Sequence, residues 1–227
     1  MTAEIVAAEV ADAFASAVMQ AAASGRRFRC AVPGGSVATQ VFPHLARSPL
    51  PWAIVDLFLA DDRLVAHDHP ESNVRAVRHL WLDRLDEIRP SFYPMPTTSP
   101  DAGEAARSAS RTLCAVAGIP PRLDVVLLGV GPDGHVASLF DEHQDWRGSA
   151  DWVIAVHDAP KPPPDRLSLG LAALAAAREL WFVAFGPEKA SVISEARSAP
   201  HSRLPVAVVA RSGPRVRWYL DSGASAP

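Results

Sequence analysis

The chain has 227 residues, 48% of them hydrophobic and 21% charged, a composition that fits one sizeable globular core and excludes a disordered chain. A formal net charge of −3 supplies no general attraction for nucleic acid or an anionic membrane surface, so an anionic ligand would need a local cluster of cations. Cys30 and Cys114 stand in apolar or helical contexts and read as small buried hydrophobes in a reducing compartment, not as a disulfide or a nucleophile.

Glu4, Glu9 and Asp12 interrupt the N-terminal apolar residues, so no secretory leader is expected. No apolar run is expected to approach the ~20 residues that span a bilayer. These features predict a cytoplasmic protein with neither membrane nor nucleic acid as partner. Ile5, Val6, Val10, Phe14, Val18 and Met19 recur at helical spacing and predict an amphipathic helix over 5–23. Residues 28–32 have a strand's length and run into Pro33-Gly34-Gly35-Ser36, after which 37–46 read as helix. A second buried strand over 52–59 ends at a loop, Asp61-Asp62-Arg63, and helices follow over 71–85 and 101–117 with a short extended piece at 91–95 between them.

The strand at 123–128 is the clearest in the chain, and the loop 129–135 follows it. Beyond it come a strand at 152–156, a proline-rich loop at 160–164, an extended piece at 166–169, a helix at 171–178 and a strand at 180–185. A helix over 187–199, strands near 206–210 and at 216–220, and a frayed tail over 221–227 complete the reading. Strands alternating with helices, without internal repeats, predict a single α/β domain over 1–227: a three-layer α/β/α arrangement with a mostly parallel sheet covered on both faces. In such folds ligands bind beyond the carboxyl ends of the strands, which directs attention to four loops.

Gly34 and Gly35 let backbone N–H groups turn toward an anion, Ser36 adds a hydroxyl, and a helix N-terminus follows; an ordinary tight turn would look the same. Asp61 and Asp62 would orient sugar hydroxyls or a catalytic histidine, with Arg63 for a phosphate or an oxyanion, unless the trio is a solvated charged turn. His67 and His69 have no second ligand cluster at zinc-like spacing and read as surface histidines. In the third loop Gly129, Gly131 and Gly134 match the dinucleotide fingerprint formally, but Pro132 and His135 stand where the backbone would have to approach a pyrophosphate. What this loop offers is His135 two residues after Asp133, a side chain suited to general-base work near neutral pH. In the fourth loop Lys189, one of two lysines against twenty arginines, begins a helix, where a cation is favoured only if an anion shares the site. Arg166 follows the stiff segment Lys161-Pro162-Pro163-Pro164-Asp165 as a further cation.

The run from Leu123 to Phe140, which contains Gly129-Val130-Gly131-Pro132-Asp133-Gly134-His135-Val136-Ala137-Ser138, closely resembles the signature of 6-phosphogluconolactonases. So do Gly34-Gly35-Ser36, Asp61-Asp62-Arg63 with Pro70-Glu71-Ser72-Asn73, the Lys161–Arg166 loop, and Gly186-Pro187-Glu188-Lys189-Ala190, all in the family's order. Pro33, Asp62, Val136 and Asp141 depart from the residues common in that family, and Val136 offers no hydroxyl at its position. The resemblance implies a Rossmann-like fold, 6-phospho-D-glucono-1,5-lactone as small-molecule substrate, the oxidative pentose phosphate pathway, no metal or organic cofactor, and a monomer or weak homo-oligomer. It implies His135 as base, Asp133 or Asp61 as the partner that orients it, and Arg63 or backbone N–H groups at the oxyanion. Gly34, Gly35, Ser36, Asn73, Arg166 and Lys189 would then bind substrate and its phosphate. Two other readings stay open: an amino-sugar-phosphate deaminase sharing Asp61, Asp133, His135 and Lys189, and a non-catalytic sugar-phosphate sensor.

Overall fold

The structure is a computed structural model that describes residues 1–142 and 144–225. Its main sheet is built from β1 (Phe28–Val32), β2 (Val55–Leu59), β4 (Ser91–Tyr93), β5 (Val125–Gly129), β8 (Glu179–Ala184) and β9 (Val216–Leu220). The spatial order is β4-β2-β1-β5-β8-β9, and every adjacent pair is parallel. All five residues of β2 and the first four of β5 are buried. Because successive side chains point to opposite faces, such strands must be covered on both sides. The helices α1 (Ala3–Ala23), α2 (Gly35–Leu45), α3 (Asn73–Leu80), α4 (Ala102–Ala117), α5 (Leu171–Ala176), α6 (Ala190–Ser198) and α7 (Pro205–Ser212) supply that cover. Helix α1 packs on α2 and α2 on α3, while α5 and α6 gather on α7.

Counting the sheet's strands in chain order, the layout is that of a doubly wound dinucleotide-type fold, and the chain reverses direction across the sheet between β1 and β5. The loops after these two strands, 33–36 and 130–135, therefore flank the crevice where such sheets bind ligands.

Four expectations need correction. Asp61-Asp62-Arg63 is not a loop: Asp61–Arg63 is strand β3, paired antiparallel with β7 (Arg166–Leu169), which also pairs with β6 (Val153–Val156) in a second, three-stranded sheet. Three consecutive charged residues after a buried strand read as a loop because nothing local signals that their backbone finds a ladder elsewhere. The segment around 206–210 is helical, not extended. Pro205 sits at the start of α7 with its φ already suited to a helix, and Val206, Ala207 and Val209 bury one face, so packing overrides the β-branched composition. Residues 221–225 are not frayed: Asp221 accepts the Ala224 N–H at 2.8 Å, and Ala224 is buried. Residues 226–227 of the expected tail lie outside the described residues.

The fourth correction concerns α1, which at 21 residues and a mean hydropathy of 1.4 over its most apolar window has the length and composition of a bilayer span. Val6, Val10, Phe14 and Val18 form a stripe at helical spacing, fully buried against the domain, so this helix serves as a core helix here.

Candidate active site

The loop after β5 is closed on itself. Gly131 N–H donates to the His135 carbonyl at 2.9 Å, Gly134 N–H donates to the Gly131 carbonyl at 3.0 Å, and Val206 N–H of α7 donates to the Gly134 carbonyl at 2.9 Å. Gly134 takes a φ of +79°, which favours glycine. This closure aims two side chains at each other: His135 Nδ1 lies 2.5 Å from Asp133 Oδ1. A bond from Nδ1 to a carboxylate fixes the ring's orientation and leaves Nε2 as the nitrogen able to accept a proton. The imidazole rests on the buried ring of Phe140, centroid to centroid 4.7 Å.

Partial burial works to raise the Asp133 pKa, but the hydrogen bond and charge of His135, with the Lys161 ammonium, outweigh it and hold the carboxyl well below the ordinary carboxylate range. A depressed carboxyl contributes stability above its unfolded value, ~3.9, and loses that contribution only as pH falls through the lower folded value. Asp133 is therefore an anion at any pH at which a histidine base would work.

His135 opens on a cleft whose other lining residues include Gly34, Gly35, Ser36, Asp61, Arg63, Asn73, Arg166 and Lys189. Of the residues named from sequence for this site, Asp133 stands behind the imidazole and Asp62 lies outside the cleft, while Gly34, Gly35, Ser36, Asp61, Arg63, Asn73, Arg166 and Lys189 line it with His135. Gly34 caps α2, so the first N–H groups of that helix, at residues that line the cleft, lack intrahelical partners. A side chain at 34 would overlap the Asn73 carboxamide, which explains glycine at that position. Lys189 is buried, its Nζ 3.7 Å from Glu188. Its loop is fixed by the segment expected to fray, because Gly186 N–H donates to both Asp221 carboxylate oxygens at 3.1 Å.

The two adjacent acids do different things. Asp61 is buried, accepts from Ser138 Oγ at 2.7 Å, and receives Asn73 Nδ2 on its carbonyl at 2.8 Å and on its carboxylate at 3.4 Å. The carboxylate on the imidazole is Asp133, and no bond between Asp61 and His135 is present among the described residues. Asp62, fully buried, caps α3 from eleven residues away: Oδ1 accepts the N–H of Asn73 at 2.7 Å and of Arg63 at 2.8 Å, and Oδ2 accepts from Val74 N–H and Ser72 Oγ at 3.2 Å. Burial raises its pKa, and the backbone donors offset only part of that. Ser138 and the capping role of Asp62 were missed from sequence. Ser138 lay inside the family signature, but the bond it makes spans 77 residues and leaves no local trace.

Arg63 and Arg166 face each other directly across the β3–β7 ladder. Like charges in that position repel, unless an anion lies between them. Arg166 is buried, which lowers its pKa, and Arg63 lowers it further while Asp61 pulls the other way. Arg63 Nη1 is held by the Glu71 carbonyl at 2.6 Å, yet its buried Nε has no partner. A cleft that carries these two cations together with Lys189 should attract an anion, and inorganic phosphate should raise the melting temperature. At 100 times its Kd the gain should be about 2.7 kcal/mol, read by calorimetry, and it should vanish in Arg166→Ala. An equal gain in both proteins would place the anion elsewhere.

Among the described residues, no group of three or more His, Cys, Asp and Glu side chains converges as a metal centre would require. Larger hollows elsewhere on the surface, such as that bordered by Arg26, Arg178 and Arg215, are lined by no histidine or cysteine.

Comparison with known proteins gives a concordant picture. The family profile described as glucosamine-6-phosphate isomerases/6-phosphogluconolactonase matches residues 1–218. The chain is similar to the 6-phosphogluconolactonase of Streptomyces coelicolor, 36% identical over 98% of this chain and 90% of that protein. A solved 6-phosphogluconolactonase from Shewanella baltica superposes with a TM-score of 0.86 at 27% identity, covering 96% of this chain and 94% of the other. A monomeric glucosamine-6-phosphate deaminase shares the fold, with a TM-score of 0.80 over 99% of this chain and 96% of the other, but at 15% identity it speaks to fold alone.

Proposed function

The chain belongs to the glucosamine-6-phosphate isomerase/6-phosphogluconolactonase family, and from that premise we propose that it hydrolyses 6-phospho-D-glucono-1,5-lactone to 6-phospho-D-gluconate, with His135 as general base. The supporting observation is the Asp133–His135 pair opening onto a cleft lined by Arg63, Arg166 and Lys189. A base beside a cluster of cations suits a neutral acyl centre carried by an anionic substrate.

In this reading Nε2 of His135 takes a proton from water as the water oxygen attacks the lactone C1 carbonyl. The same nitrogen returns the proton to the departing ring oxygen when the tetrahedral intermediate collapses. Asp133 stabilises the transient imidazolium and keeps the tautomer, as the carboxylate of a hydrolase triad does. Arg63, with its unpartnered Nε, is assigned to the developing oxyanion. Arg166, Lys189, Ser36 and the N–H groups of Gly35 and Ser36 hold the phosphate. Asp61 and Asn73, locked together, receive sugar hydroxyls. The setting is the oxidative pentose phosphate pathway in the cytoplasm, and the enzyme works as a monomer or weak homo-oligomer.

The chemistry asks for no metal. Treatment with EDTA followed by desalting should leave the rate unchanged, and activity lost to the chelator but restored by a divalent ion would overturn this part of the mechanism. The test of function itself is hydrolysis of freshly generated lactone against a protein-free blank, since the substrate opens unaided. Strong acceleration with no ammonia release from glucosamine 6-phosphate is expected. The opposite pattern would move the chain to the deaminase side of the family.

A further inference from the structure

The segment between β6 and β7 touches both functional halves of the cleft. Arg166, the first residue of β7, donates from Nη2 to the Lys161 carbonyl at 2.7 Å and from Nε to the Pro163 carbonyl at 3.1 Å. A guanidinium has five N–H donors, so three remain for an anion. The same Lys161 extends its ammonium to Asp133, 3.4 Å from each carboxylate oxygen. Asp133 in turn grips His135 Nδ1. A chain of polar contacts therefore runs from the guanidinium through the backbone and side chain of one lysine to the imidazole.

The connecting loop is built to pass on displacement and not to absorb it. Three consecutive prolines, Pro162, Pro163 and Pro164, restrict its backbone. Its base is tied at several points: Ala159 N–H donates to the Pro164 carbonyl at 3.0 Å, Leu64 N–H donates to the Asp165 carbonyl at 2.9 Å, and His157 Nδ1 lies 2.8 Å from Asp165 Oδ1. Lys161 itself is nearly half exposed, so its side chain is not needed to fill the core.

We propose that Lys161 is a positioning residue that couples occupation of the phosphate site at Arg166 to the orientation of the Asp133–His135 pair. The proposal rests on the lactonase reading for the placement of the phosphate. An anion drawing on the free donors of Arg166 fixes the guanidinium, which fixes the Lys161 carbonyl and with it the ammonium on Asp133. Binding energy gained at the remote phosphate is thereby spent on aligning the base, which raises kcat and not merely affinity. The Lys161 ammonium also helps keep Asp133 ionised, consistent with its depressed pKa. The lysine thus acts on the phosphorylated substrate's advantage over glucono-1,5-lactone, which lacks the phosphate.

Two measurements on the full chain test this. In the first, wild type and Lys161→Met are compared for kcat on the phosphorylated and unphosphorylated lactones. The ratio of the two kcat values should fall by about tenfold to a hundredfold in Lys161→Met, the scale of a small misplacement of a catalytic group, with KM for the phosphorylated lactone changed far less. Lys161→Arg should recover part of the ratio. The second needs no turnover: inorganic phosphate is titrated into protein carrying isotope-labelled histidine. Phosphate should shift the His135 ring resonances in wild type, and much of that shift should be lost in Lys161→Met although phosphate still binds. Equal shifts in the two proteins, or an unchanged kcat ratio, overturn the coupling and leave the lactonase intact. Failure of wild type to bind phosphate, or to act on either lactone, instead removes the reading on which the coupling rests and the coupling with it.

Discussion

His135→Ala is expected to lower kcat on 6-phosphogluconolactone by about 10²–10⁴-fold, the range that a positioned general base contributes, bringing the reaction toward its uncatalysed rate. KM should move little, because the cations proposed to hold the phosphate, Arg166 and Lys189, come from β7 and the segment that leads into α6, away from the loop that carries the histidine. The substitution should also be mild for the fold. The ring is half-buried, resting on Phe140 and bonded to Asp133, and the loop's own closure uses backbone groups that survive it. Initial rates with freshly prepared lactone, corrected for the blank and paired with a thermal melt, check all three statements. Asp133, held well below the ordinary carboxylate range, should stay ionised throughout the working range and add no limb of its own to the pH profile. A variant that keeps its rate would retain the substrate assignment and discard the histidine mechanism. In Asp133→Asn the rate should fall as well, because an amide no longer selects the tautomer that presents Nε2 to water.

How far the sequence alone reaches can be followed residue by residue. Strands at 28–32, 166–169 and 216–220 coincide with β1, β7 and β9, since short apolar or alternating runs bounded by turn residues have few other solutions. The loops after β1 and β5 were identifiable because glycine, proline and a polar residue after a buried strand mark a turn at the sheet's carboxyl edge. What could not be read was anything held by distant partners. Asp61 and Asp62 are neighbours of the same type, yet one is bound by Ser138 and lines the cleft while the other caps α3 out of reach of any ligand. Only the antiparallel pairing of β3 with β7, which puts Arg63 opposite Arg166, separates these roles. Asp221 is similar: its small, polar surroundings signal a frayed end, whereas its carboxylate fixes the loop that carries Lys189. The choice between Asp133 and Asp61 as the partner of His135 also had to wait for geometry, because spacing along the chain favours one and position at a strand end favours the other.

Gly131→Ala is expected to cost nearly as much activity as removing the histidine, although residue 131 carries no functional group. Its φ lies outside the left-handed region, so alanine meets no backbone objection. The obstacle is space: a Cβ built at 131 overlaps Cε1 and Nδ1 of His135 and Oδ1 of Asp133, the two atoms of the hydrogen bond among them. Something must shift, and the part-exposed side chains of the pair can move more readily than the backbone ring closed by Gly131, Gly134 and His135. The methyl group would therefore separate His135 from Asp133, losing both the tautomer and the aim of Nε2, and kcat should fall about 10²-fold or more. Stability should change less than the 2–5 kcal/mol typical of a disrupted core, because the displaced groups can turn toward solvent. Phosphate affinity should persist, since Arg166 and Lys189 are untouched. The same physics explains why this glycine-rich loop is no dinucleotide site: the space a pyrophosphate would need beside Gly131 is already filled by the imidazole and the carboxylate. Kinetics, a melt and phosphate titration on Gly131→Ala distinguish the outcomes. Intact kcat would mean that the pair tolerates displacement and that its tight geometry is not what drives the reaction, whereas lost kcat with retained phosphate binding would locate catalysis in the alignment of two side chains.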